Sequence, residues 1–346
     1  MNAPWLYSRF ADSLFILAPA FAVTLLVEVL PQSWMEHQKI NAWSWLLLVV
    51  FVDVAHVYST LWRTYFDKAA VERYRTLLIV IPLGCWVAGV LAYSAGPMVF
   101  WRLLAYIAVF HFVRQQYGFL RLYSRRERPV AWTRWLDGAA IYIATIYPLI
   151  YWHVHGREFH WFIRGDFVEL FAYPAVERLA FYAWCGILTA YFAKELSAGL
   201  CHVNIPKNLV MLGTALSWYC GIVRHDGDLA FTATNVVAHG VPYMALVWMY
   251  QKKQRPTARW FRPLWIPVFV GVAIAFAYFE EGIWDALVWG DHGMFYTWLA
   301  WVPKLTEPAI LAIVVPLLAL PQATHYVLDG FIWKVRDMRA EATIQA

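Results

Sequence analysis

The chain has 346 residues, 61% hydrophobic and 18% aromatic but only 15% charged, with a formal net charge of +5. Apolar stretches of about 20 residues, repeated along the whole length, exclude an ordinary soluble domain and predict membrane-spanning helices. The basic residues fall in short loops between those stretches, so the positive balance reads as a determinant of topology and gives no nucleic-acid signature.

Taken in chain order, spans are expected near 12–30, 43–66, 76–95, 98–122, 137–155, 176–198, 208–223, 230–250, 263–280 and 308–333. This predicts an all-α polytopic bundle of about ten transmembrane helices. It would form a single integral membrane domain over 1–346 with a cytoplasmic tail from about 334 to 346. The first stretch follows Arg9 in the manner of a signal peptide. It contains Glu28, has no small-residue cleavage site and precedes many further spans, so it reads as a retained helix. The apolar segment 284–303 is broken by Gly290, Asp291, His292 and Gly293 and reads as interfacial or re-entrant. Cys85, Cys185, Cys201 and Cys220 form no CxxC pair and read as packing residues.

Basic residues follow the even-numbered spans: Lys68, Arg73 and Arg75; Arg125, Arg126, Arg128 and Arg134; Lys252, Lys253, Arg255, Arg259 and Arg262; and Lys334, Arg336 and Arg339 in the tail. The opposite connections carry Asp226, Asp228, Glu280, Glu281 and Asp291. The segment 156–175, with Arg157 and Arg164, goes against the trend. The positive-inside rule places both termini in the cytoplasm, as for a protein of a bacterial inner membrane.

His56, His111, His239 and His325 each sit within an apolar segment, roughly 9–13 residues ahead of a basic cluster, or about 14–20 Å along a helix. All four fall on even-numbered spans and therefore in the same half of the bilayer. Ionisable groups at that depth are costly and mark function by default, and four at one level suggest the ligands of one buried metal. Each also has polar neighbours three or four places away on its helix: Asp53 and Thr60 for His56, Arg114 and Gln115 for His111, Asn235 and Tyr243 for His239, Gln322 and Asp329 for His325. Such neighbours can orient the second ring nitrogen of a metal-bound imidazole. Imidazole suits iron, copper or zinc, and nearby carboxylates favour iron or manganese. Two other readings stand beside this one: hydrogen bonds to neighbouring helices, and paired axial ligation of haem.

His37, His153, His155, His160, His225 and His292 are expected in outer loops and His202 near an inner boundary, in interfacial or solvated roles. The His153, His155, His160 group could hold a surface metal. Arg63, Arg114 and Arg121 lie in the inner half and can snorkel to headgroups; Arg114 could instead pair with Asp53 or Asp329 or hold an anionic group. The 21 Trp, 20 Tyr and 22 Phe suit interfacial belts and also a pocket for a long apolar ligand.

The stretch Leu320-Pro321-Gln322-Ala323-Thr324-His325-Tyr326-Val327-Leu328-Asp329-Gly330-Phe331-Ile332-Trp333-Lys334 resembles the last motif of the membrane-embedded Brp/Blh-type β-carotene 15,15′-dioxygenases. The segment at His111-Phe112 is similar to their second motif, His239 with Trp248 to their third, and His56 to their first. Tyr243 stands where the third motif has a second His, and Thr60 where the first has Asp. The resemblance implies iron held by His56, His111, His239 and His325.

Together these readings point to a membrane oxidoreductase, a non-haem iron centre of dioxygenase or monooxygenase type. It would use dioxygen on a lipid or isoprenoid, carotenoid-like substrate arriving laterally from the surrounding lipids, with Asp53 and Asp329 as orienting residues and Tyr243 as proton donor. The alternatives are a haem- or metal-holding electron-transfer or assembly protein, and a proton-coupled transporter.

Overall fold

The structure is a computed structural model that describes residues 4–35, 39–127, 129–197, 199, 203–255 and 262–333. The expected tail with Lys334, Arg336 and Arg339 lies outside the described residues, as do His37, Arg128, Cys201, His202 and Arg259. Among the described residues all regular structure is helical.

The helices are α1 (Arg9–Val29), α2 (Ala42–Arg63), α3 (Lys68–Ala95) and α4 (Pro97–Tyr123). Then come α5 (Ala131–His155), α6 (Pro174–Ser197), α7 (Ile205–Trp218, continued as a π turn to Arg224) and α8 (Asp228–Gln254). Last are α9 (Pro263–Trp289), α10 (Pro308–Leu318) and α11 (Leu320–Ile332). Every expected span thus coincides with helix. Five of them, α1, α2, α3, α4 and α9, are long and apolar enough to cross a membrane, and α10 with α11 makes a sixth if that bent pair is one span. α5, α6 and α8 are long but richer in Tyr, Trp and polar side chains, so ten spans do not follow from length and apolarity alone.

Local chemistry sets the helix ends. Asn41 caps α2 by accepting from Ser44 N at 2.9 Å, and Asp67 caps α3 by accepting from Ala69 N and Ala70 N, each side chain satisfying amides that have no partner within the helix. α9 runs on to Trp289, past the expected end at 280. It stops where Gly290 takes φ +69° and returns its N–H to Asp285 O at 2.8 Å. The Asp285 carboxylate then accepts from His292 N at 2.7 Å. Pro316 and Pro321 lack the N–H that a continuous helix needs, and α10 and α11 meet at a 44° bend.

By contacts the chain separates into two compact units whose boundaries fall inside α4, after Ala108, and inside α8, after Pro242. In the unit holding α1, α5, α6 and α7, α5 packs along α6, and α7 packs on α1 and α5. A buried ionic network joins the ends of its helices. Lys207 Nζ meets Glu195 at 2.7 Å and Glu127 at 3.1 Å, and Lys194 bonds Asp137. In the unit holding α2, α3, α9, α10 and α11, Leu46, Val50, Val54 and Ala55 of α2 pack on Ala273 and Ala277 of α9. Both alanines are fully buried, and such small side chains let two backbones approach closely. Ala70, Tyr74 and Leu78 of α3 pack on Leu328 and Ile332 of α11. The other face of α3, with Ile79, Val80, Leu83, Val87 and Leu91, is exposed and apolar, as a surface against lipid would be.

Candidate metal centre

Each of the four histidines is held by its own neighbours. On α2, residues Leu46–Val54 are wound as a π-helix, the Ala55 N–H reaching back five residues to Val50 O before regular α-helix resumes. π turns inside helices are frequent at functional sites, and here one leads directly into His56. Its Nδ1 lies 3.5 Å from Asp53 Oδ1. On α11, His325 Nδ1 lies 2.8 Å from Thr60 Oγ1 and 3.7 Å from Asp329 Oδ1. The His56 and His325 rings meet edge to face at 5.0 Å.

On α4 and α8, the His111 and His239 rings likewise meet edge to face at 5.0 Å. Phe112 stacks flat on His239 at 3.6 Å and 6°, and is itself held edge-on by Trp161 at 4.9 Å. Gln115 Nε2 donates to His239 O at 2.9 Å, close to Pro242, which supplies no amide to its own helix.

The histidines are 1%, 4%, 1% and 2% exposed in chain order, and each offers a ligand atom within 4.8 Å of those of the others. Two nitrogens on opposite sides of one ion at ordinary imidazole–metal distances stand about 4.2 Å apart. The 4.8 Å limit is slightly wider than that, so the four nitrogens are gathered to about the size of one ion's shell, and the donor set, four buried imidazoles, suits a borderline transition metal. Four buried histidines at this spacing can hold a metal ion. Haem fits less well, because its ring nitrogens fill four positions around the iron and leave protein ligands only the two axial ones.

The polar neighbours partly change hands relative to expectation. Asp53 and Asp329 stay with His56 and His325. Thr60, four places from His56, serves His325 instead, and Tyr243, four places from His239, bonds to Thr60 at 2.9 Å and to Asp329 at 2.7 Å. Asn235 Nδ2 bonds to Phe231 O of its own helix. Arg114 is exposed and donates to Tyr142 OH at 2.6 Å, pairing with neither Asp53 nor Asp329. Arg63 does not snorkel. It is 4% exposed, donates to Ile332 O at 3.2 Å, and lies 4.3 Å from the Tyr250 ring and 5.5 Å from that of Trp333.

His153 and His155 belong to the last turn of α5, not to a loop, and His225 is buried against Glu28. Gln115 is marked by its spacing from His111 but serves His239, and Phe112, Trp333 and the role of Arg63 have no signal in periodicity, because their partners come from distant parts of the chain. No family model, curated protein or solved structure matches this chain.

Proposed function

We propose that this chain is a membrane-embedded metalloenzyme in which His56, His111, His239 and His325 hold non-haem iron. Its reaction would be an oxygenation of a lipid or isoprenoid-like molecule, with dioxygen as co-substrate. Bound iron would supply the electrons for dioxygen activation that no protein side chain supplies. The observation that carries the reading is the buried cluster of four histidines, with His56 and His111 on helices apolar enough for a bilayer and His325 on the bent α10–α11 pair.

A cavity of about 280 Å³ adds to it, lined by Val57, Leu61, Pro82, Leu317, Leu320 and Pro321 with Thr60 and His325 in its wall. An apolar chamber with a few polar groups converging at one side is how sites for apolar ligands are built. Its lining is mainly aliphatic, with Tyr58 and Tyr65, where the sequence suggested an aromatic groove. Tyr74, Tyr250 and Trp333 are gathered around Arg63 instead.

In this reading Asp53 and Asp329 orient His56 and His325, and Tyr243, hydrogen-bonded to Thr60 and to Asp329, is the proton donor. The molecule would lie in a bacterial inner membrane with both termini in the cytoplasm. The test is oxygen uptake and product formation by membranes supplied with isoprenoid and polar-lipid extracts. We expect wild type to consume oxygen with such a substrate and His325→Ala to lose both metal and turnover, while Asp329→Asn weakens metal affinity by roughly 10–100-fold. Undiminished turnover by His325→Ala would remove the enzyme reading.

A further inference from the structure

Pro242 stands inside α8 and brings no N–H to the helix. Ala238 O, four residues back, therefore lacks the amide that a continuous helix would give it, and a buried carbonyl needs another partner. At the next residue along, Gln115 Nε2 donates to His239 O at 2.9 Å. Among the described residues no side chain does the same for Ala238 O.

Beside it lies a cavity of about 20 Å³ among α1, α4, α7 and α8, with Ala238, Pro242, Gln116, Thr214 and Ser217 in its wall. All five are buried and belong to the unit that holds α1 and α7. A space of about 10–15 Å³ or slightly more takes one water, provided that two to four polar groups face it. The wall supplies them. Thr214 Oγ1 lies 3.0 Å from Gln116 Oε1 and engages one end of that amide. The other end has no partner among the described residues, although Gln116 is only 8% exposed. Ser217 Oγ donates to Thr214 O at 3.3 Å and keeps its lone pairs. Water both donates and accepts, so it serves the amide with either its nitrogen or its oxygen toward the cavity.

We propose that this cavity is a binding site for one structural water, which bridges Ala238 O of α8 to the Gln116 amide of α4 and to Ser217 Oγ of α7. Three bonds are usual for a buried water, and ordered water is a common partner for a carbonyl freed by a helix proline. Two adjacent glutamines of α4 then hold two adjacent carbonyls of α8, Gln115 directly and Gln116 through the water. The site involves no ion, so it stands or falls separately from the metal reading.

The test is a structure of the full chain in lipid nanodiscs, at a resolution that shows ordered water, for wild type and Pro242→Ala. In wild type we expect one water peak about 2.7–3.2 Å from Ala238 O, the Gln116 amide and Ser217 Oγ. Pro242→Ala restores an amide to the helix, so its N–H should bond Ala238 O and the peak should weaken. Unfolding in mixed detergent checks the bridge in solution. Gln116→Leu should raise the unfolding equilibrium constant by roughly 3–10-fold more in the wild-type background than in Pro242→Ala, the size of one hydrogen bond.

A wild-type map with no peak in the cavity, or with a hydrocarbon group of lipid or detergent there, would overturn the site. Equal losses from Gln116→Leu in the two backgrounds would overturn the bridge to Ala238. Should Pro242→Ala fail to fold, the wild-type map decides the matter alone.

Discussion

The four site histidines are equally buried but differently supported. His239 is held through the face of its ring by Phe112 and His325 through a ring nitrogen by Thr60. That four histidines matter was legible in the sequence, because each is a polar residue stranded in an apolar helix. Which hydroxyl serves which ring was not, since helical spacing pairs Thr60 with His56 and Tyr243 with His239, whereas packing hands both to His325 and Asp329. Another histidine, His292, lies outside the helices, stacked on Trp45 at 3.6 Å and 4°. Burial pushes its imidazole below the ordinary value, against the opposing pull of Asp285 and Asp291. The folded state therefore favours the neutral ring. The unfolded chain takes up the proton first once pH falls below about 6.5, so the stability from this packing is complete above that pH and lost as pH drops further. Thermal unfolding between about pH 7 and 5 should show a steeper loss in wild type than in His292→Gln, and equal slopes would contradict this.

At the scale of elements, all ten expected helical segments are present because the apolar runs are long and their ends carry readable signals such as Asn41, Asp67 and the prolines of the last pair. The overshoot of α9 to Trp289 was hidden. Glu280, Glu281 and Asp285 look like the end of an apolar segment, yet Glu280 is 6% and Asp285 5% exposed, so these carboxylates are carried inside the helix. Close approach of elements was also invisible in composition. A Cβ at Gly89 of α3 would come within 2.8 Å of Pro316 Cβ on α10 and 3.4 Å of Phe100. Gly89→Leu should therefore force α3 and α10 apart and lower stability by about 1–3 kcal/mol, the usual cost of overpacking. Thermal unfolding in detergent checks this, and an unchanged midpoint would mean that the contact is not maintained.

For the molecule as a whole, the charge pattern of the loops predicts cytoplasmic ends for the even-numbered spans, with 156–175 against the trend, and that topology would set the four histidines at one depth. Reporter fusions placed after Arg128 and Arg255 should read as cytoplasmic, and a periplasmic signal from either would break the shared depth of His56, His111, His239 and His325. The most direct measurement is metal content with an optical spectrum on the detergent-purified full chain. Iron equimolar with protein, lost in His325→Ala and accompanied by no intense Soret band, is the result expected of a four-histidine non-haem centre. A Soret band that follows the protein, or the absence of bound metal after anaerobic loading with Fe²⁺, would contradict it.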